Sequence, residues 1–93
     1  MKIHASVGDF AGDKEAAAHI RETYLRRCLS KNEPAILDFV DVGLATQSFI
    51  HALVAAVVRE NPDNLDLIEF KNCNSEIRAV IGIVVEYAQE DFE

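Results

Sequence analysis

Basic residues are scarce in this chain of 93 residues, which has nine Lys and Arg against sixteen Asp and Glu. The net charge of −7 argues against binding to nucleic acid, because contacts to phosphates need clustered Lys and Arg. The densest basic group, Arg21, Arg26 and Arg27, is instead typical of the solvated side of a helix.

Long apolar runs and cysteine motifs are also lacking. No apolar run approaches the roughly 20 residues that a membrane-spanning helix needs, and the start of the chain, Met1 to His4, lacks the extended apolar region of a signal peptide. We therefore expect a cytoplasmic protein that does not interact with membranes. Cys28 and Cys73 show no CxxC or Cys/His ligand spacing, so we expect two free thiols and neither a metal nor another cofactor.

The sequence also lacks a recognisable set of catalytic groups. His4, His19 and His51 fall on three separate predicted elements, and none has a partner at a catalytic spacing. The segment 41–45 holds one glycine and no Gly-Lys-Ser/Thr follows it, which excludes a P-loop. Asp38 is a lone acid in a predicted strand, and a structural role explains it better than acid/base catalysis. We therefore predict a protein that is not an enzyme.

The stretch from Ala35 to Val58 organises the rest of the chain. Ala35 to Val40 is an apolar run with the length of a strand that is covered on both faces, and Gly43 is expected to adopt positive φ in the turn after it. Thr46-Gln47-Ser48 then opens a helical pattern. Its apolar stripe is predicted to face the sheet and consists of Phe49, Ile50, Leu53, Val54, Val57 and Val58.

Further strands and helices are predicted on both sides of this stretch. Met1 to Val7 predicts a first strand, and Asp13 is a good N-cap for a helix whose core stripe is Ala17, Ile20, Tyr24 and Cys28, flanked by Leu25 and Leu29. Leu65 to Lys71 predicts a third strand, and Ser75 to about Asp91 predicts a final helix. The order β-α-β-α-β-α predicts a single small α/β domain over residues 1–93, with a mostly parallel sheet packed against helices.

The outward side of the predicted central helix is small and flat. Helical spacing places Ser48, Ala52, Ala55 and Arg59 in one row, with His51 beside it. Two explanations stay open: alanine fills surface positions because it is the best helix former, or the row is a docking surface. In the second case the partner-binding residues are Thr46, Gln47, Ser48, His51, Ala52, Ala55 and Arg59.

The apolar arc of the final helix is wider than one sheet face needs. Its core stripe is Ile77, Ile81, Val84, Val85 and Ala88, and Val80, Ile83 and Tyr87 extend it. These three residues are candidate contacts of a homodimer. Alternatively, they cover the edge of a small sheet.

Ser48 also has the position of a candidate phosphorylation site. A hydroxyl in the first turn of a helix lies near free backbone N–H groups and the positive end of the helix dipole, which stabilise a phosphate. The simpler alternative is that this serine only caps the helix.

Several of these residues form a pattern that is found in a known family. They are Leu37-Asp38-Phe39, Val42, Ser48-Phe49 and Phe70-Lys71-Asn72. The run from Leu37 to Phe49 resembles the signature of STAS domains, as in anti-sigma factor antagonists, and Ser48 falls on the serine that partner kinases phosphorylate there. The likeness is closer to STAS-like domains of unassigned function and extends from about Arg21 to Val85.

The resemblance implies a STAS-like fold and a regulatory protein-interaction domain with Ser48 as its switch. The antagonists carry an acid two residues before the serine and a glycine after it, where this chain has Thr46 and Phe49. STAS-like relatives often accompany a histidine-kinase-type ATPase or a DNA-binding domain. This chain has neither, so we expect an ATPase partner to be a separate polypeptide.

Two other functions stay open from the sequence. One is a structural subunit that self-associates through the wide apolar arc of the final helix. The other, by fold analogy alone, is a sensor of a small molecule or nucleotide at the turn after the central strand.

Overall fold

The structure is a computed structural model that describes residues 1–90. Its four short strands are β1 (Phe10–Ala11), β2 (Ala35–Asp38), β3 (Leu44–Ala45) and β4 (Ile68–Lys71). The helical segments are a turn at His4–Val7, a first long helix over 14–30, a central helix over 47–60, a 3₁₀ helix at Pro62–Leu67 and a C-terminal helix at Ser75–Glu90. The predicted end of the last helix, Asp91, lies outside the described residues.

The strands form parallel pairs, as the βα order predicts. β2 pairs with β4 in a register that runs from Ala35 opposite Ile68 to Asp38 opposite Lys71. The start of the chain lies on the other side of β2, where Lys2 forms a parallel bridge with Asp38. β1 and β3 form a second parallel pair. The predicted mixed α/β architecture, with short parallel sheets packed against helices, is confirmed.

The predicted strand–helix unit at the centre of the chain supplies much of the core. Leu37 and Phe39 are fully buried, and so is the whole predicted stripe of the central helix, with exposures of 0–1% for Phe49, Ile50, Leu53, Val54, Val57 and Val58. The other face of β2, with Ile36 and Asp38, is only half-buried. The prediction that this strand is covered on both faces is therefore wrong for that side.

The predicted first strand is wrong beyond residue 3. Ile3 is fully buried, but Ala5 is exposed, so the apolar alternation did not mark one buried face. His4–Val7 is instead a helical turn that ends at Gly8, whose φ of 72° reverses the chain. The chain leaves the sheet here to reach β1, which the sequence did not predict.

The predicted third strand is too long at its start. Pro62 occupies the first turn of a 3₁₀ helix that continues to Leu67, and the side chain of Asn61 accepts a hydrogen bond from Asp63 N at 3.0 Å. Proline has its φ fixed near the helical value and favours this position. The strand therefore begins at Ile68.

The turn after β2 also differs from its prediction. Asp41 takes the positive φ, 66°, that was expected of Gly43. Aspartate is one of the few residues other than glycine that visits this region readily, because its short polar side chain bonds locally. The predicted turn also contains β3, which pairs with β1.

The start of the first long helix is confirmed. Asp13 caps it by accepting a hydrogen bond from Glu15 N at 2.9 Å, and Ala17, Ile20 and Leu25 form its buried stripe. Cys28 is half-buried and free, as predicted. No helix within residues 1–90 combines the length and the apolar character needed to cross a membrane.

Candidate functional site

Ser48 is exposed at the start of the central helix and does not cap it. Thr46 is the N-cap, and its hydroxyl accepts a hydrogen bond from Phe49 N at 3.1 Å. Ser48 is the second residue of the helix and is exposed. The capping role that could have explained a serine here is thus performed by Thr46.

A shallow cleft of about 400 Å³ surrounds Ser48. Its walls are Lys14, Gln47, Ser48, His51 and Ala52. We call these five residues the Ser48 surface. Four of them were predicted as partner-binding residues from the sequence, and the structure brings those four together.

Lys14 is the member that sequence reasoning missed. It opens the first long helix immediately after its N-cap, Asp13. β1 and β3 are paired in register and each leads into a helix within three residues, so the N-terminal ends of both helices lie side by side. No local pattern reveals this, because it depends on a pairing between two-residue strands.

Ala55 does not belong to an outward face. It is 1% exposed, and Ala52 is half-buried, because the first long helix packs against this side of the central helix. Arg21 on that helix donates a hydrogen bond from Nη1 to the carbonyl of Ala52 at 2.7 Å. The predicted flat row is therefore covered at Ala55 by the chain itself.

A π turn explains this error. The central helix is π-helical from His51 to Ala55 and α-helical on either side. A π turn holds more residues than an α turn, so α periodicity assigns the wrong direction to side chains within it. Ala55, the last residue of the π turn, is buried, whereas Ala56 after it is half-buried.

The remaining predicted residues, Thr46 and Arg59, do not line the cleft. Thr46 is half-buried and acts as the cap. Arg59 is exposed near the other end of the helix, about 16 Å from Ser48 at 1.5 Å per residue. The structure thus narrows the predicted face to its N-terminal part.

Comparison with known families identifies the family of this chain. The model of a family described as a STAS-like domain of unknown function (DUF4325) matches residues 16–78, which is more than half of the chain and includes Ser48. The chain belongs to the STAS-like domain family. No curated protein and no solved structure gave a match. STAS-like domains are generally non-catalytic, and membership supports a regulatory domain.

A second polar cluster of this STAS-like domain lies where β2 and β4 end. Asp38 Oδ1 accepts hydrogen bonds from Asn72 Nδ2 at 2.9 Å and from Val40 N at 3.0 Å. The hydrogen bond from Asn72 and then that from Val40 lower the pKa of Asp38 below its ordinary value. Asp38 thus ties the ends of two strands together, which agrees with the structural role expected from the sequence.

The C-terminal helix of the STAS-like domain exposes part of its apolar arc. Ile83 and Tyr87 have exposures of 45% and 58%, and Val80 is half-buried against the core. The core stripe of this helix is confirmed, with Ile77, Ile81, Val84 and Ala88 buried and Val85 half-buried. Ile83 and Tyr87 remain the residues through which this helix could contact another molecule.

Proposed function

We propose that this STAS-like domain is a non-catalytic regulatory module that binds a separate partner protein, such as a histidine-kinase-type ATPase, through the Ser48 surface. One observation carries the proposal. An exposed serine that does not cap its helix lies in a cleft between the N-terminal ends of two helices.

Ser48 is also proposed as the switch of this interaction. A phosphate on its hydroxyl would lie in the first turn of the central helix, where free N–H groups and the helix dipole favour a negative charge. Lys14 lines the same cleft and supplies a positive charge. The added charge of about −1.5 to −2 would then replace the positive character of the Ser48 surface with a negative one.

Copurification from the native cell, followed by binding measurements with the purified partner, tests the proposal. Ser48→Glu and Ala52→Arg should each weaken the complex, the first through charge and the second through bulk at the cleft. Ser75→Glu is the matched control, because Ser75 is also an exposed serine in the first turn of a helix. Unchanged binding of both cleft variants would contradict the docking surface.

The switch is tested separately from docking. Incubation of the domain with its partner and ATP should add one phosphate, which mass spectrometry would locate on Ser48, and Ser48→Ala should abolish it. Modification of another residue, or none, would refute the switch without affecting the docking proposal.

Self-association through the C-terminal helix is a second candidate, favoured by the exposure of Ile83 and Tyr87. Light scattering should then show a dimer that Ile83→Glu dissociates. Arg78→Glu is a suitable control, since Arg78 is exposed on the same helix about 140° around its axis from Ile83. A wild-type protein that stays monomeric at high concentration would rule this candidate out.

A further inference from the structure

Two large apolar side chains are exposed directly opposite each other on the β1–β3 pair. Phe10 and Leu44 are partners in the parallel register and are 53% and 45% exposed. Their neighbours Ala11 and Ala45 alternate to the other side and are buried. Cross-strand partners on one face are close enough for their side chains to touch, so Phe10 and Leu44 form one patch.

The backbone beneath this patch is fixed. Asp9 O accepts a hydrogen bond from Gly43 N at 2.8 Å, and Ala11 O accepts one from Thr46 N at 2.9 Å. The Phe10 ring also lies over Gly12, where an added Cβ would be 2.4 Å from the ring atom Cε2. The ring of Phe10 thus lies against the backbone of Gly12, in space that a Cβ at this position would occupy.

Three exposed carboxylates lie close to the patch along the chain. Asp9 precedes Phe10, and its side chain is 91% exposed with Oδ1 at 3.0 Å from His4 Nε2. Asp13 is exposed at the cap of the following helix, and Asp41 is exposed in the turn before β3. A second copy of the chain docked on this patch would bring these acids against one another, which like-charge repulsion opposes. A partner that carries positive charge around an apolar side chain is complementary instead.

The patch is continuous with the Ser48 surface. β1 runs through Gly12 and Asp13 to Lys14, and β3 runs through Thr46 to Gln47 and Ser48. We propose that Phe10 and Leu44 anchor a segment of the protein partner in which an apolar side chain is flanked by Lys or Arg. This inference rests on the proposed function in that it assigns the chemistry of the partner at an adjoining part of the same surface.

Selection from a random peptide-display library against the full chain tests the inference. Enriched peptides should contain a large apolar residue with Lys or Arg next to it. Synthetic copies should bind about tenfold more weakly to Phe10→Ser and Leu44→Ser, which is the loss expected for an interface anchor, and more weakly at high salt. Leu67→Ser is the control, because Leu67 is a half-buried leucine in the 3₁₀ helix, outside every proposed contact surface, and it should bind like the wild type.

Several outcomes would overturn the inference. The first is that no peptide with an apolar residue beside Lys or Arg is enriched. The second is that the peptides bind Phe10→Ser as tightly as the wild type, and the third is that Leu67→Ser loses as much affinity as Phe10→Ser. Circular dichroism of each variant separates a lost contact from a lost fold. If the native partner is sensitive to Phe10→Ser but not to Ser48→Glu, the role of Ser48 fails while the anchor stands; the converse result refutes the anchor alone.

Discussion

Arg21→Met tests the contact that holds the central helix against its neighbour. The side chain of Arg21 is 22% exposed, and its Nη1 donates to the carbonyl of Ala52 at the π turn. Methionine keeps much of the apolar stem but removes the donor. A hydrogen bond that involves a charged group contributes about 1.5–3 kcal/mol, whereas the ion pair with Glu22, whose side chain is exposed, is screened by water and adds little.

We therefore expect the free energy of unfolding to fall by about 2 kcal/mol, because the half-buried carbonyl of Ala52 regains only part of its hydration. For a domain of this size the corresponding fall in Tm is about 10 °C. Urea denaturation followed by circular dichroism measures the loss. Arg27→Met is the control, since Arg27 is exposed on the same helix. Equal stability of the two variants would refute the role of Arg21 at the π turn.

Two further predictions concern residues that fix the ends of elements. Thr46→Ala should lower the free energy of unfolding by about 1 kcal/mol, because it removes the cap of the central helix, whereas Thr46→Ser should retain most of the stability. Thermal unfolding measures both variants, and equal losses in the two would contradict the capping role of Thr46. Asn72→Ala removes the main cause of the lowered pKa of Asp38. A carboxyl whose pKa is lowered in the folded state stabilises the fold at pH values above its unfolded pKa, and this stabilisation is lost as the pH falls through the folded pKa. The loss of stability in this variant should therefore be full at neutral pH and shrink below about pH 4. A deficit that is independent of pH would exclude this linkage.

Much of the fold was predictable because the spacing of apolar residues over a long segment indicates which face of a helix is buried. The stripe from Phe49 to Val58 gave the central helix and its buried face, and Asp13 gave the start of the first long helix. The errors arose in short segments, where the backbone adopts a different conformation from the one that the local sequence predicted. His4–Val7 forms a helical turn that ends at Gly8 instead of a strand, and Asp41 rather than Gly43 takes positive φ.

The candidate site was only partly predictable for a related reason. Helical periodicity correctly placed Ser48, His51 and Ala52 together, but it assumed an α turn where the chain forms a π turn, and this misplaced Ala55. Lys14 and Phe10 could not be found from spacing, because they reach the site through the pairing of β1 with β3. Two-residue strands carry too little pattern to reveal such a pairing.

The two proposals together define the charge pattern of the partner. At the Ser48 surface the domain presents Lys14, so a complementary partner places an acid there, and a phosphate on Ser48 would repel that acid while pairing with Lys14. Around Phe10 the domain presents carboxylates, so the same partner places bases there. Lys14→Glu should then weaken the complex as Ser48→Glu does, and Ser48→Lys should not, as titration calorimetry with the purified partner would show. If instead Ser48→Lys weakens the complex as much as Ser48→Glu, the cleft senses bulk and not charge, and phosphorylation would act by steric exclusion.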